Sequence, residues 1–329
     1  MQAFAITDKS HRSIEQISLI DVPVPVIAAD QVLIKVKAVG LNPVDYKVVE
    51  FGVDAWQYPH ILGLDVAGVI EAVGEGVDRF VVGDRVAGHG YLLKDGCFAQ
   101  FVAVPAYQLG KIPDDVSFEQ AAGLLCGAMT AFQALHRKAS LNNRRTVLVH
   151  AAAGGVGSIA IQLAKLAGLT VYATAGTDKI DFVRRIGAAD VIIDYKTEDI
   201  TARVLELTQN RGVDLIINTI DGKTATEDLN RLAYNGALVA IVEEPDYRQS
   251  DLFRRGQSVC VVNLGGAHGS RDPAQQADLG RITQTLLNLV SQGKINPLIE
   301  TVLPFENIPQ GLQLIKRRKT VGKVVAVLK

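Results

Sequence analysis

The chain has 329 residues, 48% of them hydrophobic, which suits two domains with buried interiors and excludes a disordered chain. Its 34 basic and 35 acidic residues leave a formal charge of -1, so no global pull toward nucleic acid or a membrane surface is expected. Three widely spaced cysteines, Cys97, Cys126 and Cys260, exclude a disulfide framework and a Cys-rich zinc lobe, and they suit a reducing cytosol.

The first residues, 1–7, meet Asp8 and Lys9 too soon for a signal-peptide core. No uninterrupted apolar stretch approaches membrane-spanning length, so a soluble, cytoplasmic protein is expected. In residues 31–39, Val32, Ile34, Val36 and Ala38 share one face and Lys35 and Lys37 the other, which predicts a half-buried strand. Glycines dense among valines follow in 63–77, closed by Val82-Gly83-Asp84-Arg85-Val86; they mark the tight corners of a small barrel-like β domain. Residues 112–117 read as a boundary, with Ser117 and Gln120 placed to form a capping box on the next helix.

From there the period changes. Strand-like runs at 146–149, 170–174, 191–193, 213–217, 237–242 and 258–263 alternate with helical stretches at 179–186 (Gly187 as stop), 200–208 and 225–232. That alternation predicts an α/β doubly wound parallel sheet. Residues 279–290 read as an amphipathic helix, and the tail 297–329 is expected to rejoin the N-terminal domain, since six strands already complete the sheet. Lys316-Arg317-Arg318-Lys319 reads as a solvated helix end. The apolar last strand could pair edge to edge with its twin, which leaves a homodimer open.

The richest signal lies at 150–157, His150-Ala151-Ala152-Ala153-Gly154-Gly155-Val156-Gly157, after a β-branched run and before an amphipathic helix. This is the context of a dinucleotide fingerprint, with Ala152 in place of the first glycine. Small residues there let the backbone approach a pyrophosphate, and the helix N-terminus supplies donors and partial positive charge. Ala153, Gly154, Gly155, Val156 and Gly157 are therefore candidate cofactor contacts. At the end of the second strand, where an acid would bind the ribose of NAD, stand Ala175 and Gly176, with Lys179 one turn inside the helix and Tyr195 after the third strand. These residues favour NADP(H). Asp178 could be a ribose ligand, but reads better as an N-cap or first-turn acid.

The run 68–74 with Val77 and 83–86, together with the fingerprint, resembles the medium-chain dehydrogenase/reductase superfamily. Within it, the chain is similar to the zinc-independent quinone oxidoreductase branch, which also holds alkenal and enone reductases. The resemblance implies a GroES-like β-rich catalytic domain from 1–124 and 266–329 and a Rossmann cofactor-binding domain at 125–265. Hydride would pass from NADPH to a small-molecule quinone or to the activated C=C bond of an enone or alkenal. Zinc-dependent relatives carry a cysteine at Asn42, a His-Glu pair at Leu64-Asp65 and a cysteine at Cys126; only Cys126 remains here. The six histidines show no ligand spacing, so no metal is expected. Without a Lewis acid, conjugate reduction is easier than alcohol oxidation.

The resemblance also places the segment 41–47 beside the nicotinamide. Asn42 would bond cofactor ribose or phosphate, or form an Asx-Pro turn, or do both. Quinone reductases often carry a tyrosine two residues after the acid matching Asp45; this chain has Lys47 there and Tyr46 one place early. Both stand as catalytic candidates, Lys47 as a group that could steady an oxyanion. Thr130, Thr219, Ile241, Val242, Leu264, Gly265 and Lys323 are carried over as cofactor contacts. Trp56, Tyr58, Tyr91 and Tyr247 could line an acceptor pocket. Two other readings remain: an enoyl-thioester reductase, and a low-turnover NADPH-binding structural or sensor protein.

Overall fold

The computed structural model describes residues 1–328. The chain packs as two compact units, Met1–Met129 with the chain from Gly265 onward, and Thr130–Leu264. The units divide between Met129 and Thr130, inside the helix Phe118–Gln133, which also contains the border expected after residue 124.

The first unit opens with β1 (Gln2–Ile6), β2 (Ser18–Asp21), β3 (Gln31–Leu41), α1 (Pro43–Phe51) and β4 (His60–Ile61). It continues with β5 (Asp65–Val73), β6 (Arg85–His89), β7 (Phe101–Pro105), β8 (Leu109–Lys111) and α2 (Phe118–Gln133). The second unit follows as β9 (Thr146–Val149), α3 (Gly157–Leu166), β10 (Thr170–Ala175), α4 (Ile180–Ile186), β11 (Val191–Asp194) and α5 (Ile200–Leu207). It ends with β12 (Val213–Asn218), α6 (Gly222–Arg231), β13 (Leu232–Ala240), α7 (Leu252–Arg255) and β14 (Ser258–Val261). The tail adds α8 (Gly266–Gly269), α9 (Pro273–Ser291), β15 (Ile299–Pro304), α10 (Ile308–Lys316) and β16 (Lys323–Val327).

In the first unit a three-stranded sheet, β2-β1-β4, accompanies a seven-stranded one ordered β15-β16-β3-β5-β6-β8, with β7 also on β3. The alternation in β3 holds as far as Ala38, with Val32, Ile34 and Val36 buried and Lys35 exposed. Beyond it Val39, Gly40 and Leu41 are all buried, because here β3 pairs with both β5 and the returning β16. The tail therefore rejoins the N-terminal unit, and its register, Val324 opposite Leu41, brings Lys323 beside Asn42. Phe4, Ile34, Ile70, Val86, Phe98 and Leu109 centre the core of this unit. The Ser117–Gln120 capping box forms as expected, Gln120 N donating to Ser117 Oγ (3.2 Å) and Ser117 N to Gln120 Oε1 (3.0 Å).

The second unit is a six-stranded sheet of order β11-β10-β9-β12-β13-β14, parallel throughout. Helices follow the strands, so the central strands are covered on both faces; all six residues of β12 are buried. Helix starts are set by acids that local periodicity underrated. Asp221 accepts from Thr224 N (2.7 Å) and starts α6 at Gly222 rather than at 225. Asp272, followed by Pro273, starts α9 well before 279. Strand β13 stops at Ala240, so Ile241 and Val242 lie past its end: its neighbours β12 and β14 have their last pairings there, at Asn218 and Val261. Among the described residues no helix is long and apolar enough to cross a membrane.

Candidate functional site

In the second unit, chain direction alone places the loops after β9, β10 and β12 at the carboxyl edge of the sheet, where doubly wound folds bind ligands. The turn after β9 is tight. Ala151 takes a left-handed φ of 49°, Ala152 N donates to Thr174 O (2.9 Å), and Gly154 N closes onto Ala151 O (2.9 Å). A Cβ at Gly157, the first residue of α3, would stand 2.3 Å from Ala151 O and 2.9 Å from Ala152 Cα. Backbone meets backbone at that point, so only glycine fits. Ala152 is fully buried, and the fold accommodates its methyl group where the fingerprint has its first glycine.

His150 anchors the loop from below. Its Nε2 lies 2.9 Å from Asp228 Oδ1 and its Nδ1 3.2 Å from Thr174 Oγ1, while Thr219 Oγ1 donates to its carbonyl (3.2 Å). Asp228 also accepts from Asn218 Nδ2 (2.7 Å) and Arg231 Nη1 (2.8 Å). Burial alone would raise this carboxyl, but His150, Arg231 and Asn218 outweigh it and hold the group below its ordinary value. Neither His150 nor Asp228 was singled out as a site residue. Asp228 lies 78 residues from its partner, and no local pattern links the two.

At the next loop, Ala175 is buried at the end of β10 opposite Asp194, and Thr177 Oγ1 donates to Asp194 Oδ2 (2.6 Å). Asp178 sits in a single turn, Thr177–Lys179, ahead of α4, and its carboxylate is paired with Lys196. Tyr195 is half exposed beside it. Of the remaining candidates in this unit, Thr130 and Leu264 are buried, Ile241 is half-buried and Val242 is exposed.

The first unit holds a second polar centre, built on Asp65, which is fully buried at the start of β5. Its carboxylate lies 2.7 Å from His89 Nδ1 and accepts from Asn42 Nδ2 (2.8 Å) and Cys126 N (3.0 Å to Oδ2). Lys323, only 4% exposed, donates to Asn42 Oδ1 (2.5 Å) and to Leu41 O (3.3 Å). Both ends of the Asn42 amide are thus engaged within the protein, and its backbone N–H donates to Asp45 Oδ2 (2.7 Å) at the start of α1, where Pro43 opens the helix. The turn at Asn42 closes through its backbone, Asp45 N donating to Asn42 O (3.1 Å). Gly265 begins the C-terminal part of this unit and is half-buried. Tyr46 and Lys47 are half-buried on α1, with Tyr46 packed against the apolar core and its phenol raised by burial and by Glu50. Trp56 stacks on His60 with ring centres 4.1 Å apart, Tyr91 stacks on His268 at 5.2 Å, and the Tyr247 hydroxyl donates to Glu244 (2.8 Å).

Asp65, His89 and Cys126 each offer a ligand atom within 4.8 Å of the others, a grouping that histidine spacing did not reveal. Desolvation and the neighbouring carboxylate push the Cys126 thiol well above its ordinary value, which keeps it protonated. Asp45 is buried in the same centre, its Oδ1 without a partner, and desolvation raises it from 3.8 to about 8. The folded chain therefore holds a proton at Asp45 that the unfolded chain releases above about pH 4, so this group's contribution to stability is full below that pH and is lost as pH rises toward 8. Melting temperatures between pH 4 and 8 should decline more steeply for the native protein than for Asp45→Asn. Parallel curves would show that Asp45 is ionised in the fold.

The alcohol dehydrogenase GroES-like domain matches residues 28–114, and the zinc-binding dehydrogenase domain matches 155–279. The chain is 34% identical over 300 residues to erythronolide synthase EryA2 of Saccharopolyspora erythraea, covering 91% of this chain and spanning 8% of that protein. It is 30% identical over 313 residues to the quinone oxidoreductase of Sus scrofa, covering 94% and 92% of the two chains. Among solved structures, the CurK enoyl reductase superposes with a TM-score of 0.86 at 28% identity, and mycobacterial Rv1454c complexed with NADPH with 0.85 at 30%. Both pairs align over 100% of each chain.

Proposed function

Because the chain belongs to the medium-chain dehydrogenase/reductase superfamily, in its quinone oxidoreductase branch, we propose that it is an NADPH-dependent reductase of quinones or of activated C=C bonds. The observation that carries this reading is the Gly157 turn: a backbone-to-backbone contact at a helix tip, on a parallel sheet of the dinucleotide-binding order. NADPH supplies the hydride when bound. The chain's own residues bind and orient. Ala153, Gly154, Gly155, Val156 and Gly157 present the turn and helix N-terminus to the pyrophosphate. Thr130, Thr219, Ile241, Val242, Leu264 and Gly265 belong to the same proposed contact set. Tyr46 and Lys47 are the proposed catalytic pair, with Lys47 steadying the oxyanion that hydride delivery leaves on the acceptor.

The reduction is proposed to need no zinc. Three N–H groups already occupy the Asp65 carboxylate, a protonated Cys126 is a poor ligand, and the buried Lys323 ammonium brings a cation to the same centre. Asn42 and Lys323 hold one another, so in this reading they shape the wall of the site. A cytoplasmic homodimer is part of the proposal, supported by free cysteines and by the exposed Val261 on edge strand β14.

NADPH oxidation screened over quinones, 2-alkenals, cyclic enones and enoyl-CoA esters, with and without chelator, tests the reading. Turnover with a quinone or enone, unchanged by chelator, is expected. Chelator-sensitive turnover would defeat the zinc-free mechanism, and oxidation by no acceptor would defeat the reductase reading. A second reading, enoyl-thioester reduction, is favoured by the likeness to the CurK enoyl reductase, and preference for enoyl-CoA esters in the same screen would select it.

A further inference from the structure

We infer that Asp45 is the proton source of the proposed reduction, its Oδ1 handing a proton to the acceptor through a single bound water once hydride has arrived. The inference rests on the reductase reading and deepens it, because that reading gives Lys47 the oxyanion but assigns no group to the proton.

Asp45 stands in the first turn of α1 and is 2% exposed. Its two oxygens have different surroundings. Oδ2 is held by Asn42 N (2.7 Å), whereas no protein group meets Oδ1. Buried polar atoms are rarely left this way. Asp45 also lines a small pocket with Trp56, His60, Leu64 and Leu92. The pocket offers about 10 Å³, room for one water and too little for an acceptor ring. With Oδ2 taken, Oδ1 is the oxygen left for that water. The Trp56 indole N–H does not compete, since it donates to Leu92 O (2.9 Å). His60 supplies a second polar group to the same lining, its ring fixed by the Trp56 stack and kept neutral by burial, which lowers it to about 4.

The surrounding charges favour an acid over a carboxylate. Burial and the Asp65 carboxylate raise Asp45, and Lys323 opposes them without prevailing. Cys97 and Cys126, which sense the Asp45 charge, are themselves raised and stay as thiols. Lys94 joins the pocket lining. Hydride arrival forms one new bond to hydrogen and leaves the displaced π pair on the acceptor as an enolate or hydroquinone anion. A water proton bonds to that anion, the water takes the Asp45 proton in its place, and a carboxylate remains. Solvent returns the proton before the next turnover.

The test is the pH profile of kcat on the full chain, with the acceptor that the NADPH-oxidation screen selects, and infrared detection of carboxyl protonation as a readout independent of turnover. In the native protein kcat should hold up to about pH 8 and fall above it, where Asp45 ionises. A protonated-carboxyl band should be present near neutral pH and absent from Asp45→Asn. That variant should lose about 100-fold in kcat, the lower range for a lost general acid, and lose the fall above pH 8 while keeping the native KM for NADPH. A merely structural role would lower kcat and leave the shape of the profile unchanged. A native profile flat across pH 8 would overturn the inference with no variant needed, as would a band that survives Asp45→Asn or a variant that keeps the alkaline fall. Each of these leaves the reductase reading intact. Turnover of no acceptor by the native chain would overturn that reading and the inference with it.

Discussion

Gly157→Ala should abolish measurable nucleotide binding and destabilise the second unit by about 3 kcal/mol, the upper range for forcing one methyl group into a packed interior. The reason is geometric. The added carbon would sit 2.3 Å from the carbonyl oxygen of Ala151 and 2.8 Å from its carbonyl carbon, and neither can rotate away as a side chain would. Ala151 already takes a left-handed φ of 49°, and its carbonyl is held by Gly154 N, so the turn has little freedom left to yield. The helix can relieve the clash only by moving its N-terminus away from β9, which takes its donors away from any bound phosphate. Calorimetric titration and thermal melting read the two effects separately. A variant that melts normally and binds NADPH with native affinity would show that the turn does not contact the cofactor.

Asp65→Ala should destabilise the first unit by about 3–5 kcal/mol, a fall of roughly 10 °C in melting temperature for a unit of this size. The cost comes from what is left behind rather than from the lost contact. Asn42 Nδ2, Cys126 N and the His89 ring lose the acceptor supplied by a fully buried side chain. Asp65→Asn keeps one acceptor oxygen and should lose less than half as much. Equal losses for the two variants, or a loss below about 1 kcal/mol for alanine, would show that the pocket refills with other partners.

The two units differed in how far local patterns could disclose them. In the second, β9 was delimited to the residue by its apolar run, and Gly187 stops α4 with a left-handed φ of 71° as its position implies. Boundaries shifted where a polar residue controls them. Asp221 and Asp272 started helices early because a capping carboxylate acts over three residues, a shorter range than the apolar repeat used to place those helices. Strand β13 stopped short because its end depends on neighbours from elsewhere in the chain. Within the candidate sites, the glycine turn was readable, whereas Asp228 and Lys196 emerged only when strands brought separate loops together.

The linear order of residues was enough to establish an alternating βαβ unit, the tight glycine turn at its first helix and the return of the tail to the N-terminal unit, because hydrophobic period and turn chemistry act over a few residues. The folded chain alone decided which polar groups meet: His89 reaches Asp65 across 24 residues, Cys126 across 61, and Lys323 reaches Asn42 across 281. The His89 and Lys323 meetings are made by strand register and the Cys126 one by α2, whose Cys126 N meets the first residue of β5, so distant segments are coupled through backbone that any side chain can accompany. No local pattern names the partner, and the chemistry of the buried centre is written there.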